Sequence, residues 1–250
     1  MKRVLITGIT GFVGSHIADF LLSKKNIKLF GIKRYHLSRE DNIIHLSNKI
    51  EWFDCDLLDP KSIQTVVKKI KPQIIFHMAS QSFVSPSWSH PNLYMNANYQ
   101  MTVNLFEACL INNINPLIHL PGSGEEYGEI NQDELPINEN TILRPVNPYA
   151  VTKIAQDFIA YVYFRSYGLK VIRTRAFNHE GPRREKVFGI PWYAYQIAKI
   201  EQGFGKIDVL PFINTVYSPI ELEVNFIFMY ESKLFPKGTQ YTVLNTFPLN

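Results

Sequence analysis

One short stretch near the N-terminus restricts the fold of this chain more than any other. TGITGFVG, residues 7–14, sets glycines at 8, 11 and 14 between an apolar run, RVLIT, and an amphipathic one, FVGSHIADFLLSK. Glycines so spaced let a strand turn sharply into a helix and let backbone N–H groups approach a pyrophosphate at the positive helix end. A glycine triplet alone is a weak signal, and a tight turn without a ligand is the rival reading. Behind a strand, ahead of a helix and at the head of a βαβ series, it predicts a dinucleotide site touched by Gly8, Thr10, Gly11, Phe12, Val13 and Gly14.

The rhythm continues. Strand-like runs IKLFGIK, IEWFDCD, QIIFHMA, PLIHL and KVIRTRA alternate with helix-like stretches. The latter are PKSIQTVVKKI, a span over 91–113 in which Leu93, Ala97, Met101, Leu105 and Ala108 recur every three or four residues, and a span over 148–167. This is the pattern of an α/β fold, a doubly wound parallel sheet of Rossmann type. We expect an NADP-binding Rossmann domain over residues 1–175 and a smaller, incomplete substrate-binding part over 176–250. Beyond residue 202 prolines and aromatics scatter without helical period, and no fold can be assigned there.

With 46% hydrophobic residues in 250, the chain can bury a full core. The net charge of +4 is spread among acids, without the basic block that binds nucleic acid. Cys55 and Cys109 are too few for a disulfide framework or a zinc cluster and fit a reducing compartment. The N-terminus lacks the core and cleavage site of a signal peptide, and no apolar run reaches the roughly 18 residues of a membrane span. A soluble, cytoplasmic protein with no metal, no nucleic-acid partner and no membrane association is the expectation.

The second strand ends GIKR, so Lys33 and Arg34 stand where an NAD site would want an acid for the ribose 2′-hydroxyl. NADP is favoured over NAD, with Arg34 offering a bidentate fork to the 2′-phosphate. An ordinary solvated basic pair is the alternative. Asp56, at the end of the third strand, could reach the adenine, although by itself a turn role is the better account of it.

GSGEEYG, residues 122–128, follows the strand PLIHL and poses three readings of Ser123 and Glu125: a polar turn, a hydrolase nucleophile or an acid/base site. The hydrolase reading fails for want of a G-x-S-x-G elbow. Further on, Tyr149 and Lys153 lie four apart on a helix whose apolar face reads Val151, Ile154, Ala155, Phe158 and Val162. An ammonium beside a phenol stabilises the phenolate and lowers its pKa, making a proton shuttle. Glu126 reads as a solvated neighbour.

In that order TGITGFVG, GSGEEYG and PYAVTK resemble the extended short-chain dehydrogenases/reductases over residues 1–202. Within them FHMASQS, GSGEEYG, RPVNPYAVTK and RAFNHEGPRR are similar to GDP-mannose 4,6-dehydratases, with the GDP-4-keto-6-deoxymannose reductases as near relatives. The resemblance implies that Tyr149 takes the proton of the hexose 4-hydroxyl while hydride passes to NADP. Lys153 would hold the ribose and tune Tyr149, and Ser123 would bond the reacting oxygen. Glu125 would remove the C5 proton and assist loss of the C6 hydroxyl, and hydride then returns to C6. It further implies cofactor contacts from Asp56, Leu57, Met78, Ala79, Ser80, His179 and Arg184, and substrate contacts from Ser82 and Asn178. Asn98 would brace the active-site helix, and the protein would be a homo-oligomer, a dimer or tetramer. His179 and Glu180 lack partners at metal-ligand spacing.

Two features depart from that pattern. The arginine pair runs into RREKVFGIPWYAYQ rather than a glycine-led loop, and the tail lacks a second arginine-rich segment. The tail suggests a truncated or frame-shifted reading in which the cofactor half folds and sugar binding suffers. Two alternatives therefore accompany the dehydratase: the 4-keto reductase, and an inactive NADP-binding protein.

Overall fold

The computed structural model describes residues 1–203 and, for the backbone, Phe226–Phe235 and Gly238–Pro248. The chain divides into two compact units, Met1–Ile207 and Asp208–Asn250. In the first, six parallel strands lie in the order β3-β2-β1-β4-β5-β6: β1 Lys2–Thr7, β2 Ile27–Lys33, β3 Glu51–Asp54, β4 Ile74–His77, β5 Leu117–Ser123 and β6 Val171–Ala176. This is the Rossmann-type doubly wound sheet that the alternating runs predict. Its order reverses between β1 and β4, and the exits of those two strands open the crevice where such sheets take ligands.

The central strands β1 and β2 are apolar on both faces, each of which meets a buried core. Along β1, Val4 and Ile6 join a core with Ile9, Ala18 and Leu21, while Leu5 joins the opposite core with Ile63, Val67, Leu105, Phe106 and Ile118. Helix α1, Phe12–Leu22, therefore packs on one face, and α2, Pro60–Ile70, and α4, Met101–Ile111, on the other. Burying each such side chain contributes about 1.5–3 kcal/mol. The span over 91–113 is not one regular helix: α3, Pro91–Met95, passes into a π-helical stretch, Asn96–Gln100, before α4.

Local signals fix the helix ends. Asp59 caps α2 by accepting the Lys61 N–H at 3.0 Å, with Pro60 at the first turn. Helix α5, Pro148–Tyr167, is capped by Asn147, whose Oδ1 accepts the Ala150 N–H at 2.8 Å, and it stops at Gly168 with φ of 68°.

One expectation about α5 is reversed. Of the five residues read as its apolar face, Val151, Phe158 and Val162 are 45–51% exposed and Ile154 and Ala155 half-buried, whereas Tyr149, Thr152, Lys153, Gln156 and Asp157 are buried beside Ala150, Ala160 and Tyr163. The helix turns its polar side inward because that side finds hydrogen-bond and charge partners beneath it, which remove the penalty of burial.

Helix α6, Gly189–Glu201, has no counterpart in the sequence reading; Pro191 lies in its first turn, where the missing N–H costs nothing. In the second unit β7, Phe226–Phe235, and β8, Gly238–Pro248, pair antiparallel. Among the described residues no helix is long and apolar enough to cross a membrane.

Candidate active site

The first turn of the crevice is built by Gly8, at the end of β1, with φ of 62°. A Cβ there would stand 2.6 Å from the Ala79 backbone nitrogen, so only glycine lets the turn lie against the exit of β4. Met78 N–H donates to Thr7 O at 3.2 Å and Ala79 N–H to Thr7 Oγ1 at 3.2 Å, which pins the two exits together. Gly11 caps α1 with no side-chain bond, leaving backbone N–H groups of the first turn, at Phe12 and Val13, to face an anion. Gly8→Ala is expected to cost about 2 kcal/mol or more, from the left-handed backbone and the backbone clash together. A urea midpoint equal to the parent's would contradict this.

Around that turn the cofactor-side residues are distributed unequally. Arg34 is exposed, its N–H donating to Ser38 Oγ at 2.9 Å, while the Lys33 ammonium is taken by Glu40 at 2.6 Å. Asp56 Oδ1 accepts the Leu58 N–H at 2.9 Å, and Leu57 is buried in the core. Ser80 Oγ donates to Asn98 Oδ1 at 3.0 Å, and Ser82 is exposed. Asn98 also donates to Thr152 Oγ1 at 2.9 Å, joining the β4 exit to α5. Thr10 O accepts from Asn42 at 3.1 Å. Beyond β6, Asn178 is exposed, the His179 ring stacks on Phe12 at 5.9 Å, and the Arg184 guanidinium lies 4.0 Å from the Phe188 ring centre. Arg183 pairs with Asp19 at 2.6 Å, Arg184 with Glu180 at 3.2 Å, and Glu185 with Arg39 at 3.2 Å.

The residues with chemistry to offer come together where β5 meets α5. Ser123 ends β5, its Oγ accepts the Glu125 N–H at 3.2 Å, and it is hydrogen-bonded to the Tyr149 hydroxyl. Asn147 caps α5 with one end of its amide and with the other donates to Glu125 Oε2 at 2.9 Å. One cap thus sets both the helix bearing Tyr149 and the carboxylate beside it.

Tyr149 does not show the lowered pKa that its spacing from Lys153 predicted. Burial pushes the phenol up to about 12, outweighing the Ser123 bond, while Glu125 and Glu126 add to the rise and Arg184 opposes it. The Lys153 ammonium is turned to Gln156 Oε1 at 2.7 Å; burial brings it down to about 8, with Glu126 pulling the other way.

Glu126 is a second correction: it is fully buried, not solvated. Its Oε1 accepts the Ser123 N–H at 2.7 Å, closing a capping box, and its Oε2 meets Arg175 Nε at 3.1 Å. A Cβ on Gly122 would lie 2.2 Å from Glu126 Oε1, so the glycine makes room for the carboxylate. Asp157 joins from α5, pairing with Arg175 Nη2 at 2.6 Å and with Arg173. Burial pushes Glu126 up to about 7 and Asp157 adds to it, against the Ser123 N–H, Arg175 and Lys153. Of these supports, only Asn147 had a sequence signal, an Asn-Pro pair at a helix start.

The profile of the family described as GDP-mannose 4,6 dehydratase matches residues 5–210. The chain is 34% identical over 213 residues to the GDP-mannose 4,6-dehydratase of Yersinia enterocolitica serotype O:8, an alignment covering 81% of this chain and 56% of that protein. It is 29% identical over 216 residues to the GDP-6-deoxy-D-mannose reductase of Pseudomonas aeruginosa, covering 83% and 64%. Among solved structures it is similar to RMD from Pseudomonas aeruginosa complexed with NADPH, with a TM-score of 0.69 at 29% identity over 82% of this chain and 64% of that one. The UDP-glucose 4-epimerase of Thermus thermophilus in complex with NAD gives 0.71 at 29% identity over 82% and 64%. The chain spans 56–57% of the length of the bacterial dehydratases it matches.

Proposed function

Because the chain belongs to the GDP-mannose 4,6 dehydratase family, we propose that it is a nucleotide-sugar enzyme using a nicotinamide cofactor, and specifically an NADP-dependent dehydratase converting GDP-mannose to GDP-4-keto-6-deoxymannose. The observation that carries this reading is the convergence of Ser123, Glu125 and Tyr149 at the β5–α5 junction, with Lys153 one helical turn further along α5.

The residues present fit a dinucleotide: a glycine turn pressed against the β4 exit, an uncapped helix N-terminus for the pyrophosphate and a basic residue beyond β2. In this reading Gly8, Thr10, Gly11, Phe12, Val13 and Gly14 hold the phosphates, Arg34 the 2′-phosphate, and Asp56, Leu57, Met78, Ala79 and Ser80 the adenosine side. Tyr149, Lys153, His179 and Arg184 flank the nicotinamide end. What such a cofactor supplies there is reversible hydride uptake. The chain's own residues supply the proton chemistry: Tyr149 accepts the 4-hydroxyl proton, Ser123 holds the oxygen, and Lys153 stabilises the phenolate. Glu125, held by Asn147, takes the C5 proton and returns one to the departing C6 hydroxyl. Ser82, beyond β4, and Asn178, beyond β6, are proposed on the sugar side.

Support for NADP over NAD is the exposed Arg34, left free of the pairing that neutralises Lys33. Arg34→Ala is expected to weaken NADP binding about tenfold and NAD binding less than about twofold, as titration of each cofactor would read. An equal loss for both would refute the assignment of Arg34.

The 4-keto reductase is the second reading, favoured by the likeness to the Pseudomonas aeruginosa reductase. It needs Ser123, Tyr149 and Lys153 but no base at C5. Glu125→Gln keeps the bond from Asn147 and removes the base, so it is expected to lower dehydration of GDP-mannose about 10²–10⁴-fold, followed by mass spectrometry of the sugar nucleotide. A reductase would lose little. A homo-oligomer, dimer or tetramer, fits the exposed Val151, Phe158 and Val162 of α5, and a cytoplasmic setting fits the two free, buried cysteines.

A further inference from the structure

We propose that Gln156, Thr102, His77 and Thr7 form a positioning relay that ties the orientation of the Lys153 ammonium to the glycine-bearing turn at the head of the fold. The proposal rests on the Tyr149/Lys153 reading and adds to it residues that contact neither reacting group of the sugar. The relay draws on four elements, β1, β4, α4 and α5, and all five side chains, Lys153 included, are at most 3% exposed.

One arrangement of its hydrogens satisfies every contact at once. An ammonium has only donors, so at 2.7 Å Gln156 must present Oε1 to Lys153 Nζ. The Gln156 amide then points Nε2 at Thr102 Oγ1, 2.6 Å away, and donates to it. The Thr102 hydroxyl gives its own hydrogen to the Asn98 carbonyl at 2.8 Å. Toward His77 Nε2, at 3.1 Å, the Thr102 oxygen can therefore only accept, which puts the imidazole hydrogen on Nε2. His77 Nδ1, left bare, accepts from the Thr7 hydroxyl at 2.8 Å, and Thr7 Oγ1 accepts the Ala79 N–H at 3.2 Å.

The two ends make this more than core polarity. Thr7 immediately precedes Gly8, and Ala79 is the residue against which Gly8 packs. Lys153 faces Glu126 and, through the relay, His77. Burial, and then the charge of Lys153, hold the imidazole down to about 3, so near neutrality His77 keeps one donor and one acceptor nitrogen, as the relay requires.

The test combines two readouts on the full chain. Nitrogen-15 NMR of the histidine rings is expected to show His77 as the Nε2–H tautomer, unchanged between pH 5 and 8, with its ring signals displaced in Gln156→Met. NADP titration of Thr7→Val, Gln156→Met and the double variant is expected to show each single change weakening binding up to about tenfold and the double change weakening it by less than the product. Circular dichroism on each variant establishes that it is folded. An Nδ1–H tautomer, a ring that titrates near pH 6.5, or strictly multiplicative losses would overturn the relay. If the unaltered chain binds neither NADP nor NAD while His77 keeps its tautomer, the cofactor reading fails, and the coupling role falls with it although the hydrogen-bond chain is real. Gln156→Glu keeps an acceptor for Lys153 but loses the donor to Thr102, so it is expected to displace the His77 ring signals as Gln156→Met does; unchanged His77 signals in this variant would overturn the relay.

Discussion

Tyr149→Phe is expected, on the dehydratase reading proposed above, to lower turnover of GDP-mannose by about 10³-fold while NADP affinity stays within about twofold. The ring is 7% exposed and packs edge-on to Tyr94, so phenylalanine keeps the packing and removes only the hydroxyl. That hydroxyl is bound to Ser123 and has been pushed up to about 12 by burial, far from a useful base near neutrality. The Ser123 bond and the charge of Arg184 act to bring it down. The resemblance assigns Lys153 the same task, although its ammonium points to Gln156. Water loss from the sugar nucleotide, followed by mass spectrometry beside a cofactor titration, measures both quantities. Retention of more than about a tenth of the parent rate would remove Tyr149 from the proton chemistry.

Arg175→Met is expected to destabilise the fold by about 3–5 kcal/mol, because it strips the shared cation from two buried carboxylates. Glu126 is fully buried and Asp157 nearly so, and Arg175 reaches both, at 3.1 and 2.6 Å. The loss should depend on pH with a definite sign. Burial raises Glu126 from its ordinary value of 4.5 to about 7 in the parent, so its contribution is complete below 4.5 and is lost as pH rises through about 7. Without Arg175 the Glu126 carboxyl is raised further, and the variant's deficit should be largest above pH 7 and shrink toward pH 5 as it protonates. Denaturant titrations of parent and variant at pH 5 and 8 measure it; a deficit independent of pH would mean that Arg175 acts by packing alone. Adding Glu126→Gln to Arg175→Met should recover part of the loss.

The route from residues to site is readable where one element carries the whole signal. TGITGFVG, the alternating apolar runs and the Asn-Pro start of α5 are local patterns, and each becomes the turn, the sheet and the capped helix it implies. Glu126 escapes such a reading because EEYG shows only two adjacent acids, and nothing local says that the second will tuck under Gly122 onto an arginine 49 residues away. Helix α5 reverses its expected orientation for the same reason: its apolar residues suggest an inward face, yet its polar residues are the ones with buried partners.

The sequence by itself determined the strand-turn-helix at the N-terminus, the parallel doubly wound sheet, and the order in which Ser123, Tyr149 and Lys153 would appear. Only the tertiary structure decided which polar side chains sit beneath them. Hydrophobic period records the preference of one element for water or its absence, whereas burial of Glu126, Asp157, Gln156 or His77 is tolerated only when a partner is supplied from another element. Gln156 meets Thr102 across 54 residues of chain, and Thr7 meets His77 across 70. Those partners are defined by the folded sheet, because hydrogen bonds and charges strong enough to offset desolvation exist only at contact distance.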